Sequence, residues 1–166
     1  MSRALLLVFA VLWSLQLRSQ VQMDKKEIGN ILDSWHRAAG SADFDAYFNL
    51  MTSDAVFIGT DASENWQIEE FKAYAKPHFD KGKAWNFKAV ERQIYVNDEG
   101  DYAWFDELLD TQMKLCRGSG VLRKESGDWK IAHYVLSIVI PNENVSEVIL
   151  IKQEKDDRII EELIKQ

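Results

Sequence analysis

Three residues in the second half of the chain carry side chains that could perform acid–base chemistry. His133 lies in the alternating segment WKIAHYVLS, Glu107 in YAWFDELLD and Arg92 in AVERQIYV. A carboxylate or an imidazole in an apolar pocket can act as a general base, because burial raises the pKa of a carboxyl group. A nearby guanidinium can stabilise a developing oxyanion. The sequence therefore predicts His133, Glu107 and Arg92 as a candidate catalytic set.

A second group of residues could enclose a ligand. The chain has six tryptophans, and large aromatic side chains either fill a core or line an apolar pocket. The predicted pocket lining consists of Tyr47, Phe57, Trp66, Tyr74, Trp129 and Ser137. The sequence has no Gly-rich phosphate loop, no CxxC and no HExxH motif, and it has three histidines. No cofactor and no metal site is therefore predicted.

The first of two predicted hairpins places Arg92 opposite Glu107. Hydrophobic alternation puts the even-numbered residues of 90–96 and the odd-numbered residues of 103–113 on one inner face. Closing a turn at residues 98–101 then gives three inward pairs: Val96 with Ala103, Ile94 with Phe105, and Arg92 with Glu107. The charged pair is either a structural ion pair or part of a pocket wall. A bulge would instead turn Trp104 and Asp106 inward.

The second hairpin turns at Ser126 and Gly127. Opposing apolar residues predict five inward pairs: Lys124 with Trp129, Leu122 with Ile131, Gly120 with His133, Gly118 with Val135, and Cys116 with Ser137. Glycine inside a strand often marks a bend or a close approach of another group. Two glycines on the inner face therefore predict an empty groove beside His133.

Helical spacing of apolar residues predicts three helices before these strands. The first begins after Asp24 as its N-cap and ends at Gly40, the second covers residues 43–51, and the third covers 67–76 and stops at Pro77. A short strand at 54–59 separates the second helix from the third. The order predicts an α+β fold in which a strongly curved antiparallel sheet packs on three N-terminal helices.

The N-terminal segment has the pattern of a secretory signal peptide. Arg3 precedes an apolar run of about fourteen residues, and the polar RSQVQ follows. Residues 1–19 are therefore predicted to be removed on export, which places the protein outside the cell or in the periplasm. The alternative is an uncleaved anchor, and only then does the chain contact a membrane. Cys116 is the only cysteine, so no intrachain disulfide can form, and the net charge of −7 argues against nucleic-acid binding.

The segments RGSGVLRKESGDWKIAHYVLSIVIPNE, FNLMTSDAVFIGTDASENW and EEFKAYAKPHF resemble the SnoaL-like branch of the NTF2-like superfamily. The resemblance implies a cone-shaped α+β domain at 24–142 with an internal pocket, commonly dimeric. Residues 143–166 are then an extension with a short amphipathic helix. Relatives include polyketide cyclases, ketosteroid isomerase, scytalone dehydratase, limonene epoxide hydrolase and non-catalytic binding domains. Many related chains carry a second histidine where this one has Val135, which argues against a paired-histidine site.

Three hypotheses about function follow from these features, and whether the chain is an enzyme stays open. The favoured one is an exported pocket protein that binds a small apolar or aromatic molecule, since no complete acid–base set is visible. The second is a cofactor-independent isomerase, dehydratase or hydrolase that uses a pocket His or Glu as base. The third is a homodimeric interaction module. Its interface would be the C-terminal helix and an outer sheet face with exposed Trp104 and Tyr134.

Overall fold

The computed structural model describes residues 3–82 and 84–165 and, within these ranges, the side chains from residue 19 onwards. The described chain forms, in order, α1 (Arg3–Gly40), α2 (Phe44–Asn49), β1 (Met51–Ile58), β2 (Asn65–Gln67), α3 (Ile68–Asp80), β3 (Phe87–Val96), β4 (Tyr102–Thr111), β5 (Lys114–Glu125), β6 (Asp128–Ile138), a short 3-10 helix (Asn142–Asn144) and α4 (Val145–Ile164). Residues 1–18, which make up most of the predicted signal peptide, therefore lie outside the part of the chain whose side chains the structure describes. The predicted α+β class, with three helices ahead of the main strands, is confirmed.

One curved sheet has the strand order β2-β1-β6-β5-β4-β3. Strands β3 to β6 form the antiparallel meander that the sequence predicts. One strand departs from the predicted antiparallel pattern: β1 pairs with β6 in parallel and with β2 antiparallel. A parallel neighbour requires a long crossover connection, and α3 with strands β3 to β5 provides it between β1 and β6.

The register of the first hairpin is the predicted one. Three inward pairs match: Val96 with Ala103, Ile94 with Phe105, and Arg92 with Glu107. Phe105 and Glu107 are buried, whereas Trp104 is 50% exposed on the outer face. The alternative with Trp104 and Asp106 inside was therefore wrong. A bulge at Val90 shifts the register only near the start of β3, beyond these pairs.

The register of the second hairpin is the predicted one only near its turn. Lys124 pairs with Trp129 and Leu122 with Ile131, but a bulge at Ala132 then inserts one residue into β6. Because side chains alternate between faces, this insertion exchanges the inward and outward residues beyond it. The further pairs are Val121 with His133, Gly120 with Tyr134, Gly118 with Leu136, and Cys116 with Ile138. The predicted inward His133 and outward Tyr134 were both wrong, and Tyr134 is fully buried.

Helix α1 begins well before the predicted start. Asp24 lies inside the helix, so its predicted role as N-cap was wrong. The residues just before it include no glycine or proline, and nothing there stops the helix. The Asp24 carboxylate is buried and accepts hydrogen bonds from Trp129 Nε1 at 3.3 Å and Lys124 Nζ at 3.2 Å. Asp24 therefore connects α1 to the hairpin of β5 and β6.

Helix α3 continues through Pro77 and ends at Asp80, so the predicted stop at Pro77 was wrong. Pro77 lies in the last turn, where its missing N–H removes one bond to the carbonyl of Ala73. Ala73 is exposed, so water can satisfy that carbonyl. At its start, the Gln67 and Glu70 side chains form a reciprocal capping box.

The core lies between the inner face of the sheet and helices α1 to α3. Its centre is aromatic: Trp35 stacks on Tyr47 with ring centroids 4.9 Å apart and meets Tyr134 edge-on at 4.8 Å. Such pairs stabilise the fold beyond their buried area by about 0.5–1.5 kcal/mol each. Among the described residues, no helix has both the length and the hydropathy needed to cross a membrane.

Candidate functional site

A buried polar cluster surrounds the Glu107 carboxylate beneath α1. Its Oε1 accepts hydrogen bonds from His36 Nε2 at 2.8 Å and from the Tyr134 hydroxyl at 3.2 Å. Its Oε2 accepts from Arg92 Nε at 2.8 Å, and Arg92 Nη1 reaches Asp33 Oδ1 at 2.8 Å. Glu107 is 1% exposed. Its two oxygens therefore already bind three donors, and solvent does not reach them.

The charges of this cluster favour an ionised Glu107. Burial alone would raise the pKa of Glu107, but the hydrogen bonds and charges of His36 and Arg92 outweigh burial and hold that pKa below its ordinary value. Burial also raises the pKa of Tyr134, and the Glu107 charge raises it further. At neutral pH a charged carboxylate thus faces a neutral phenol and a cationic guanidinium. A carboxylate with a lowered pKa is a weak base.

Four elements bring the cluster together. α1 contributes Asp33 and His36, β3 contributes Arg92, β4 contributes Glu107 and β6 contributes Tyr134. Gly118 on β5 makes room for it, because a Cβ at that position would overlap the Tyr134 hydroxyl and lie 3.1 Å from Glu107 Oε1. The groove that the strand glycines were predicted to leave empty is therefore filled, by Tyr134 at Gly118 and by Phe105 and the His133 carbonyl at Gly120.

A separate pocket opens beside this cluster and has a volume of about 160 Å³. Its wall is mostly aromatic and its rim is polar; the lining residues are Phe57, Gly59, Thr60, Glu64, Trp66, Phe71, Tyr74, Trp85, Phe87, Gln112, Met113 and Leu136. Phe87 lines the pocket and also contacts His36, with ring centroids 5.9 Å apart. Phe57 likewise contacts Tyr134 at 5.5 Å. These two rings lie between the pocket and the charged cluster.

The aromatic rings of the pocket wall lie nearly parallel. Phe71 is 5.7 Å from both Trp66 and Trp85, with interplanar angles of 16° and 24°. Phe71 also stacks on Phe57 at 4.1 Å, and Trp66 stacks on Tyr74 at 4.3 Å. Offset stacking is a preferred arrangement of aromatic rings. Phe57 and Phe71 are buried, so the open part of the wall is made by Trp66, Tyr74 and Trp85, against which another flat molecule can pack.

A comparison with family models decides the family. The model described as SnoaL-like domain matches residues 28–141, which is well over half of the chain. The chain belongs to the SnoaL-like domain family. No curated protein matches it.

Solved structures similar to this SnoaL-like chain share its fold at low sequence identity. An NTF2-like protein of unknown function from Pseudomonas putida is 16% identical, with a TM-score of 0.60 over 72% of this chain and 89% of that one. A candidate dehydratase of the NTF2-like family from Streptomyces avermitilis is 16% identical, with a TM-score of 0.62 over 72% and 99%. A candidate aromatic ring hydroxylase from Novosphingobium aromaticivorans is 19% identical, with a TM-score of 0.58 over 72% and 91%. These likenesses show the NTF2-like fold.

The structure divides the predicted site residues of this SnoaL-like domain among several places. Phe57, Trp66 and Tyr74 line the pocket. Arg92 and Glu107 contact each other in the buried cluster. The remaining four lie elsewhere: Tyr47 in the aromatic core, Trp129 against Asp24, Ser137 exposed on β6, and His133 on the outer face opposite Val121. The predicted catalytic set is thus split, because the bulge in β6 turns His133 away from Glu107.

Several residues of the candidate site were not predicted from the sequence. His36 and Tyr134 complete the cluster, and Trp85, Glu64 and Gln112 line the pocket. His36 lies four residues before Gly40 on the apolar face of a predicted helix, which was a usable signal. The other four lie in loops or beyond a bulge, where periodicity does not assign a face. Within the described ranges, no group of three His, Cys, Asp or Glu side chains could hold a metal ion.

Proposed function

We propose that this SnoaL-like domain is an exported protein that binds a small flat molecule in its aromatic pocket. The observation that carries the proposal is the set of nearly parallel aromatic rings around a pocket of about 160 Å³. An apolar cavity of about 150 Å³ in another protein holds one benzene molecule. The pocket volume therefore suits a ligand built on one aromatic ring.

The polar rim favours a ligand with a hydrogen-bond donor or a positive charge. Among the described residues that line the pocket, Glu64 alone carries a formal charge, and Thr60 and Gln112 are the neighbouring polar side chains. Burial raises the pKa of Tyr74, and the negative charge of Glu64 raises it further. The Glu64 carboxylate is therefore close enough to the aromatic wall to affect it electrostatically. A cation beside electron-rich rings and a carboxylate is stabilised by both. A ring that carries an amine fits this rim, whereas a ring that carries a carboxylate meets repulsion.

Binding is better supported than catalysis by the geometry of Glu107. Its carboxylate binds three donors, and Phe57 and Phe87 lie between it and the pocket. A general base must reach the proton that it removes, and Glu107 does not line the pocket. The buried cluster instead joins α1 to the sheet behind the pocket wall.

Ligand titrations with three related probes test this proposal. Benzylamine, benzyl alcohol and benzoate each contain one aromatic ring. At neutral pH they are positively charged, neutral and negatively charged, and only the first two have a hydrogen-bond donor. Protein-observed NMR of the tryptophan indole signals should show that benzylamine binds most tightly and benzoate most weakly. Glu64→Gln should reduce benzylamine affinity about tenfold, as for the loss of one charged contact, and leave benzyl alcohol binding nearly unchanged.

A matched pair of tryptophan variants locates the site. Trp66→Ala removes a pocket wall, whereas Trp104→Ala removes an exposed tryptophan on the outer face of the sheet. We expect the first to lower affinity at least tenfold and the second to leave it unchanged. The proposal is wrong if none of the probes shifts the Trp66 or Trp85 signals, or if both variants bind the probes like the unmodified chain.

Export is a separate part of the proposal and rests on Arg3 and the apolar run that follows it. Expression of the full chain in a secreting host, followed by intact-mass analysis, measures the outcome. A product that begins near residue 20 in the exported fraction supports export. An intact chain that remains inside the cell contradicts it.

A further inference from the structure

The C-terminal helix α4 lies outside the core and presents apolar side chains to solvent. None of its twenty residues, all of which the structure describes, is buried. Val145, Ile149, Ile160 and Leu163 are between 38% and 60% exposed. Most of the stability of a helix in a protein comes from packing of its apolar face, and an uncovered apolar stripe commonly marks an interaction surface.

Six apolar side chains of α4 lie along one stripe, whereas Leu150, Ile151 and Ile164 lie off it. Its positions follow each other at alternating steps of four and three residues: Val145, Ile149, Lys152, Asp156, Ile159 and Leu163. This spacing keeps successive side chains on one face of a helix and is typical of paired helices. Val148 and Ile160 widen the stripe at its two ends. Lys152 and Asp156 lie at its centre and form an ion pair at 2.9 Å within the helix.

The stripe is symmetric about position 154. Position by position, an antiparallel second helix places Val145 opposite Leu163, Val148 opposite Ile160, Ile149 opposite Ile159, and Lys152 opposite Asp156. Each apolar residue of the stripe then meets an apolar one, and each central charge meets its opposite. A parallel arrangement in the same register places Lys152 against Lys152 and Asp156 against Asp156, which is repulsive.

We propose that α4 is a homodimerisation helix that pairs antiparallel with α4 of a second copy of this chain. The self-complementary pattern selects a second copy, because an unrelated partner does not require symmetry. A membrane surface is disfavoured, since α4 has six acidic and three basic side chains and anionic lipids would repel it. The helix spans a little under three heptads, so we expect a weak dimer with a Kd between roughly 1 and 100 µM.

Charge-swap variants of the full chain test the pairing. In the antiparallel pair, Lys152→Asp sets two carboxylates against each other at two places, and Asp156→Lys does the same with two amines. Each single variant should therefore weaken dimerisation at least tenfold in sedimentation velocity. The double variant K152D/D156K restores opposite charges and should dimerise again. Mixing the two single variants should give a heterodimer, because their charges are then complementary.

Control variants distinguish this surface from the rest of α4. Ile149→Ser lies on the stripe and should weaken the dimer, whereas Ile151→Ser alters an isoleucine off the stripe that is more exposed, at 81% against 54%, and should not. The swap E154R/R158E reverses an ion pair on the opposite face of the helix and should also leave the dimer unchanged. Far-ultraviolet circular dichroism checks that α4 stays helical in each variant.

Two results overturn the proposal. One is a chain that stays monomeric up to about 1 mM, far above the expected Kd. The other is a dimer with the same Kd in the unmodified chain, both single charge variants and the Ile149→Ser variant, because pairing then runs through another surface. Neither result affects the ligand proposal, since no residue of α4 lines the pocket.

Discussion

Gly118→Ala tests whether a glycine at position 118 is required to leave room for the Tyr134 side chain. A Cβ at position 118 would overlap the Tyr134 hydroxyl and lie 2.8 Å from its Cζ, closer than real Cβ atoms approach. Tyr134 is fully buried and packs against Trp35 and Phe105, so its ring has little freedom to move aside. We therefore expect the ring to shift and its hydrogen bond to Glu107 to break.

The size of the effect follows from three contributions. Overpacking a core typically costs about 1–3 kcal/mol. Loss of a hydrogen bond to an ionised group costs a further ~1.5–3 kcal/mol. Replacement of glycine by alanine also reduces the entropy of the unfolded chain, which offsets about 0.4–1 kcal/mol. The free energy of unfolding of Gly118→Ala should thus fall by roughly 2–5 kcal/mol.

Urea denaturation followed by tryptophan fluorescence measures this change in a four-protein cycle: the unmodified chain, G118A, Y134F and G118A/Y134F. Tyr134→Phe removes the overlapping hydroxyl, so G118A should cost about 1–2 kcal/mol less in that background. Gly29→Ala is the control, because its Cβ would meet only Ile94 Cδ1, at 3.8 Å. It should stabilise α1 by about 0.5–1 kcal/mol.

Either of two stability measurements would contradict this prediction. One is a G118A variant whose stability lies within about 0.5 kcal/mol of the unmodified chain, the range of an ordinary surface substitution. The other is an equal cost of G118A with and without the Tyr134 hydroxyl. The hydroxyl would then not be the group that position 118 accommodates.

Further predictions concern the cluster, helix α1 and the second strand glycine. Glu107→Gln should lower stability at pH 7 by about 3–5 kcal/mol by breaking a buried ion pair. The folded-state pKa of Glu107 lies below its ordinary 4.5, so its contribution is present above pH 4.5 and is lost as the pH falls through the folded pKa. Urea midpoints between pH 7 and pH 3 should therefore fall less in E107Q than in the unmodified chain. Asp24→Ala leaves the buried Trp129 N–H unpaired and should cost about 1–3 kcal/mol in urea denaturation, against less than about 0.5 for the exposed Glu27→Ala. Gly120→Ala should destabilise more than Gly118→Ala in the same assay, because its Cβ would overlap a backbone carbonyl that cannot turn aside.

The sequence predicts the first hairpin and its charged pair because strict alternation determines register. Arg92 and Glu107 are the charged residues at inward positions flanked by apolar ones, so hydrophobic matching assigns both to one face. In the second hairpin, alternation predicts the strand register only between the turn and Leu122. One additional residue, Ala132, interrupts the alternation, and Ala132 fits either face of a sheet. The residue type at that position does not indicate a bulge.

The pocket was predicted only in part because aromatic residue type does not separate a core wall from a pocket wall. Tyr47 and Tyr74 were both predicted to contact a ligand, yet Tyr47 is fully buried and Tyr74 lines the opening. Which of them faces the cavity depends on how α2 and α3 pack on the sheet, and this is a tertiary property. Glu64 and Gln112 come from loops, whose side chains have no periodic pattern to read.

The bulge at Ala132 also explains why an acid–base site predicted from the sequence becomes a structural cluster. Without it, His133 would lie on the inner face beside two glycines, with only β5 between its strand and that of Glu107. With it, the inner face receives Tyr134, whose phenol stays protonated because burial and the Glu107 charge both raise its pKa. The phenol then donates to Glu107 together with His36 and Arg92, and these bonds fasten α1 to β3, β4 and β6. The bulge thereby replaces a titratable pair with an ionised carboxylate behind the aromatic wall, and the ligand that we propose would be recognised by the aromatic rings and Glu64 alone.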